Sequence, residues 1–361
     1  MKQLVINFFI LVSIVIVVLS SCTKKKHLLI ETNNFTTTPT LLDTIYGIYT
    51  GIEVAGATNI YSGYGLLFVE SNNPQQQLAV YDANSNKFIH ALCLQGRAKN
   101  EFINPTNYCK QICKINDEIK IPVRNNGIEM KVVNVSKSLV EGRTVVEGVE
   151  DCIFQSKGCE LYLSDFSKRF EYYRAWTNDA RTGNYEIPRF YVKKERQMEI
   201  KVYGRLFEDK SIPVLPSIIY SGGMRIKPDE TKAVFYNVHM NYLFVFDLEK
   251  KKAFAIHKTD ELSFEESLPE DLSTLRLGYG DVCLTNKYII ALAPNGTEDD
   301  YDDDIIMPQL MVFDWDGNYL FGWTFDRRIY NISIDEYSKR LFGFERLSEK
   351  IYVYDLPSLF I

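Results

Sequence analysis

The sequence predicts an all-β fold made of repeated antiparallel sheets, and three observations carry that prediction. From Thr44 onward the chain reads as short apolar and aromatic runs between polar turns, and no long stretch keeps an apolar period of 3.6 residues. The 23 Tyr and 22 Phe suit the pleated surface of strands. Most telling is a phrase that recurs, an apolar strand ending in Asp or Asn before a polar turn. It stands clearly at residues 78–82, 243–247, 311–314 and 352–355, and more loosely at 130–134 and 199–204. The strand-end residues Asp82, Asn134, Tyr203, Asp247, Asp314 and Asp355 lie about 55 residues apart on average, close to a four-stranded propeller blade with some long loops. Six anchors imply a six-bladed β-propeller. Each four-stranded antiparallel blade needs neighbours to bury its faces, so the ring must close. After Asp355 only a short tail follows, so residues 44–53 are expected to supply the outer strand of the last blade.

Taken in order, the chain opens with Met1-Lys2, a largely apolar run from Leu4 to Leu19, and small residues before Cys22. A positive start, an apolar core and a small-residue cut site make a secretory signal, residues 1–21. Leu19-Ser20-Ser21-Cys22 resembles the bacterial lipobox. That resemblance implies cleavage before Cys22 and acylation of both its sulfur, as with palmitate, and its new amino group. Two or three acyl chains anchor stably where one does not. By the same resemblance Thr23 in place of Asp points to the outer membrane, and Lys24-Lys25-Lys26 in place of an acidic run points to its periplasmic face. Residues 22–42 are polar and read as a flexible tether, followed by the propeller over residues 43–361. An Asp that ends a strand has a structural role, because its side chain can accept a backbone N–H two residues on and set the turn. Asp82, Asp247, Asp314 and Asp355 are read in that way.

Three passages resemble the TolB-like six-bladed propellers common among Bacteroidetes lipoproteins. Gly96-Arg97-Ala98-Lys99-Asn100-Glu101-Phe102 is similar to the family's linker after the first blade, without the glycines expected at Ala98 and Asn100. Residues 312–318 look like its fifth-blade hairpin, and residues 325–329, 334–336 and 351–354 like its closing blade. The resemblance implies fold and an envelope location, and leaves function open.

Chemistry is sparse. A net charge of −6 and a pI near 5.5 exclude an electrostatic grip on nucleic acid, which needs clustered Lys and Arg. His27, His90, His239 and His257 are scattered, with His90 and His257 at similar offsets after blade phrases. No catalytic constellation, nucleophile elbow or phosphate loop is present, so no catalytic or cofactor residue is expected. The acidic run 298–304 reads as a solvated loop; Asp300, Asp302 and Asp304 within it are the candidates for calcium, without the spacing of a dedicated loop. A second insertion, 176–196, carries Arg181, Arg189, Tyr185 and Tyr191, which with Arg174 beside it could form a basic rim opposite the acidic one. Asp43-Thr44-Ile45 resembles an O-glycosylation site of that phylum. Cys109 and Cys113 would stand about 13 Å apart on one strand, too far to bridge. Cys152 and Cys159 flank a hairpin loop, which leaves either a disulfide or buried thiols. The reading that follows is a lipid-anchored envelope protein whose propeller binds or scaffolds a protein, peptide or glycan without catalysing a reaction. The alternative is an enzyme, a lyase or hydrolase, with a metal-assisted site in the central funnel.

Overall fold

The computed structural model describes residues 30–36, 42–106, 110–126, 129–151, 153–156, 159–166, 170–176, 189–194, 201–202, 219, 221–250, 252–259, 276–294, 296–297 and 307–356. Among the described residues, four five-stranded sheets, two four-stranded sheets and a two-stranded pairing of Arg276–Leu277 with Gly296–Thr297 make up the strands. In chain order the first sheet holds Ala57–Gly63, Leu66–Ser71, Leu78–Asp82 and Phe88–Leu92. The second holds Pro105–Thr106, Cys113–Ile115, Glu118–Asn125, Glu129–Asn134 and Val146–Asp151. The third runs from Ile153–Ser156 to Lys201–Val202. The fourth begins at Gly222–Ile226, the fifth at Asp281–Leu284 and the sixth at Asn331–Asp335. Within each, strands that follow one another and pair do so antiparallel, and in the second both Pro105–Thr106 and Cys113–Ile115 pair antiparallel with Glu118–Asn125, so the fold is an all-β propeller with blades of four to five strands.

The core lies between sheets. Separate apolar layers join the fourth sheet to the fifth, the fifth to the sixth, the sixth to the first and the first to the second. Ile289–Ala293 is buried at every residue because it has a neighbouring sheet on each face. Strands covered on both faces lose the polar alternation of a half-exposed strand. In the first sheet the hairpin turn uses Tyr64 at φ 55° and Gly65 at φ 81°, the two positive angles that a two-residue turn needs to follow strand twist.

The anchor phrase marks the third strand in the first, fourth, fifth and sixth sheets; in the second it marks Glu129–Asn134, fourth in chain order but third across the sheet. The loose match near Tyr203 does not. There Lys201–Val202 is the last strand of the third sheet, whose third strand is Phe170–Trp176, a segment without the phrase. The expectation of six equivalent repeats therefore holds for five, and five sheets contribute described residues around the central cavity. The third contributes none among the described residues, although its Cys159–Phe166 strand runs near Gly222–Ile226 of the fourth. A short helix, Val135–Glu141, was also not expected. Asn134 does not simply turn the chain; its side chain accepts the Lys137 N–H at 3.0 Å and caps that helix, which ends on Gly142 at φ 63°.

The N-terminal segment differs from expectation in two ways. Residues 22–42 were expected to be a flexible tether, yet Glu31–Phe35 is a strand. It runs parallel to Lys252–Lys258 on the outer edge of the fourth sheet. The reason is Phe35, which packs against Phe313 at 5.0 Å and Tyr319 at 5.4 Å between centroids, in the layer between fourth and fifth sheets. Burying a phenylalanine stabilises by about 1.5–3 kcal/mol, which adds to the ladder of the parallel pairing in offsetting the cost of ordering the strand. Further on, the expected outer strand of the sixth sheet is only Ile48–Tyr49, antiparallel to Lys350–Tyr354. Thr44–Ile45 pairs instead with Tyr319–Phe325 in the fifth sheet, where Asp43 and Ile45 carbonyls accept the Thr324 and Asp326 N–H groups at 3.1 Å each. Two of the sheets thereby gain a fifth strand.

Candidate functional site

The inner strands surround a cavity of about 490 Å³. Its lining comes from five sheets: Ser62 to Tyr64 of the first, Lys110 to Cys113 of the second, Arg225 and Glu230 of the fourth, Cys283 and Asn286 of the fifth, and Ser333 to Tyr337 of the sixth. A site on the axis of a propeller is built this way because each inner strand is short and ends in a hairpin that presents its turn residues together.

One end of the cavity is closed by charge. Asp281 is fully buried and pairs with both Lys110 and Arg225, whose side chains are 7% and 8% exposed. Its Oδ1 accepts from Arg225 at 3.0 Å and from the Val282 N–H at 2.9 Å; its Oδ2 accepts from Lys110 and from the Ile332 N–H at 3.0 Å. Lys110 also donates to the Ile332 carbonyl at 3.1 Å, and Arg225 to the Met224 carbonyl at 2.9 Å and the Tyr236 hydroxyl at 3.3 Å. This network ties the second, fourth, fifth and sixth sheets together. Burial by itself would raise the Asp281 pKa, but Lys110 and Arg225 outweigh it and hold the carboxyl below its ordinary value. Beside it, burial and the Asp281 charge push the Cys283 thiol up to about 12, so it is an inert donor to the Ile332 carbonyl.

The other end is the mouth, formed by hairpin turns. Asp335 accepts from the Gly65 N–H at 3.1 Å, from Tyr337 at 3.3 Å and from Ser338 at 3.0 Å, joining the first and sixth sheets. The Tyr337 ring lies on Gly65, so close that a β-carbon there would come within 3.0 Å of it. Ser62 and Ser333 share a hydrogen bond of 2.7 Å. Tyr64 and Tyr337 are 43% and 76% exposed. Glu336 makes no hydrogen bond or ion pair among the described residues. Its pKa is raised, by desolvation first and then by the adjacent Asp335, with Lys287 opposing.

The residues singled out in the sequence lie elsewhere. Cys22, Asp300, Asp302, Asp304 and His27 fall outside the described residues, as do Cys109, Cys152 and most of the 176–196 insertion. Cys93, Cys113 and Cys283 are buried thiols. His90 and His257 occupy the fourth strands of their sheets, as their matching offsets suggest, and His257 stacks on Tyr242 at 4.4 Å. No group of three or more His, Cys, Asp or Glu among the described residues could hold a metal ion. No helix among the described residues is long and apolar enough to cross a membrane. The turn aspartates behave as expected at three positions: Asp82, Asp247 and Asp314 each accept backbone N–H groups two and three or four residues on. Asp355 makes no such bond among the described residues, which end one position later. The sequence reading missed Asp281, Arg225, Lys110 and Glu336. One signal was available: Arg225 interrupts the apolar pair Met224 and Ile226, and Asp281 heads the apolar run Val282–Leu284, each an ionisable group inside a strand too short to expose it.

No family model matches the chain, and no curated protein matches it in sequence. Solved structures do resemble it in fold. An exported protein of Bacteroides fragilis is 10% identical, with 90% of this chain and 98% of that one covered and a TM-score of 0.43. A gluconolactonase of Xanthomonas campestris is 10% identical over 86% of this chain and 89% of its own, with a TM-score of 0.45. A luciferin-regenerating enzyme is also 10% identical, over 85% and 91%, with a TM-score of 0.42. These neighbours are β-propeller proteins with diverse activities, and the likeness extends to fold alone.

Proposed function

We propose that the protein is a lipid-anchored envelope protein of the TolB-like propeller type, held at the membrane through Cys22, whose propeller binds a protein, peptide or glycan. In this reading all six four- and five-stranded sheets form one ring, and Ile48–Tyr49 closes it in the last blade. The observation that carries the binding role is the state of the cavity's ionisable groups. Asp281 is saturated by two cations and two backbone N–H groups, and Asp335 by three backbone N–H groups. A metal-assisted lyase or hydrolase would need several such groups free to converge on a reacting atom. A binding pocket needs instead a few oriented polar groups beside aromatic surface, which the mouth supplies.

A thermal-shift screen of the full-length protein in detergent, against calcium with chelator and then a glycan and peptide panel, tests this. A shift with a glycan or peptide supports a binding module. A calcium shift reversed by chelation, together with turnover of a panel member, overturns it. Incorporation of labelled palmitate, lost in Cys22→Ala, tests the anchor. An experimental structure counting the blades tests the ring, since a third sheet lying outside it would leave five.

A further inference from the structure

Resting on the binding reading above, we infer that the mouth of the cavity recognises an organic cation, the ammonium or guanidinium of a lysine or arginine side chain on a peptide or protein partner, with Glu336 as counter-ion and Tyr64 and Tyr337 as flanking rings. A charge balance over the groups that face the cavity leads there. Lys110 and Arg225 are committed to Asp281 at the closed end, and neither is exposed by a tenth. Asp335 is committed to the Gly65, Tyr337 and Ser338 N–H groups. Glu230 is buried in its own turn at φ 61°. What remains at the open end is Glu336, with Lys287 acting on it only at a distance. A carboxylate that is partly desolvated beside a second carboxylate gains most from an incoming positive charge.

The rings on either side fix the kind of cation. Tyr337 approaches Gly65 through its Cδ1 and Cε1 atoms, and the residue is largely open to solvent. Burial, and more weakly the nearby Glu336 charge, raise the pKa of the Tyr64 hydroxyl. Tyr64 lies beside Cys113 and Lys114, which places it at the border of the first and second sheets. Aromatic faces attract soft, weakly hydrated cations, arginine most of all. A single unpaired carboxylate with aromatic neighbours is a poor seat for a divalent metal, which needs several oxygen ligands. It is a good one for a guanidinium, whose planar fork can take a carboxylate edge-on while stacking on a ring.

The test uses the full-length protein in detergent and a short acetylated, amidated peptide with one central arginine, measured by calorimetry beside its citrulline counterpart. The arginine peptide is expected to bind saturably, and the neutral citrulline peptide at least roughly tenfold more weakly. Glu336→Gln is expected to weaken the arginine peptide by about tenfold and Tyr337→Ala by several-fold, with unfolding midpoints unchanged or raised. Equal binding of the two peptides, or wild-type affinity in Glu336→Gln, overturns the inference. If the arginine peptide fails but a neutral glycan shifts the melting curve, the cation site falls while the binding module stands. If nothing in either panel binds, both fall.

Discussion

The two ends of the cavity use the same chemical group in opposite ways. At the closed end Asp281 is fully buried and held ionised by two cations and two backbone amides. At the mouth Glu336 is exposed on one side, lacks a partner among the described residues, and has its pKa raised. The first carboxylate has its charge neutralised in place and serves the fold. The second keeps an unneutralised charge where solvent and ligand can reach it. Structural ion networks perturb ionisable groups as functional sites do, so the group left without a partner is the better candidate for a ligand.

The sharpest way to break this contrast is Asp281→Asn. It keeps the shape and leaves Lys110 and Arg225 buried without a counter-charge, so stability should fall by about 3–5 kcal/mol in urea unfolding. Replacing the whole set, with Lys110→Met, Arg225→Met and Asp281→Leu together, should recover most of that loss, because well-packed apolar groups often match a buried ion network. A triple variant as weak as Asp281→Asn would assign the effect to the Val282 and Ile332 amides instead.

Acid titration separates the two ends by sign. The Asp281 pKa is lowered on folding, so its contribution is present above the unfolded carboxylate pKa of about 4 and disappears as pH falls through the lower folded value. The stability gap between wild type and Asp281→Asn should therefore persist from neutral pH down to about pH 4 and close only below it.

A smaller effect is expected at the outer turns. Asp314→Ala removes an acceptor for the Asp316 and Asn318 N–H groups, both at 2.9 Å, and should cost about 1 kcal/mol with no change in ligand affinity. Smallest of all is Glu336→Gln in the absence of ligand. A carboxyl whose pKa is raised on folding favours the folded state only while it is protonated, and that benefit is lost as pH rises through the folded value. At neutral pH the substitution should therefore leave stability unchanged or raise it by about 0.5 kcal/mol, a gain that vanishes in acid.

The sequence carried the fold well where the repeat was explicit. Phrases ending in Asp82, Asp247 and Asp314 mark third strands because a strand buried on both faces must be apolar and a tight turn must follow it. The match at Tyr203 misled because an apolar alternation of a few residues identifies a strand and not its place in a sheet. The site was much less legible. Lys110, Arg225, Asp281 and Glu336 come from four different sheets and are separated by up to a few hundred positions, so no local spacing joins them. Phe35 was hidden for a related reason: one aromatic residue among polar neighbours gives no period, yet its partners Phe313 and Tyr319 decide its place.

The N-terminal segment that laces the outer edges of three sheets has a mechanical side. Glu31–Phe35 lies alongside Lys252–Lys258 in parallel register, Thr44–Ile45 lies alongside Tyr319–Phe325, and Ile48–Tyr49 ends on Lys350–Tyr354. A pull on the chain at residue 30, directed along the first of these strands, loads its whole ladder in shear, with every rung strained together and Phe35 wedged at the far end. The load must break that ladder, then the second pairing, before it reaches Ile48–Tyr49. The segment thus works as a strain relief, absorbing tension in two separate stages before any reaches the last sheet.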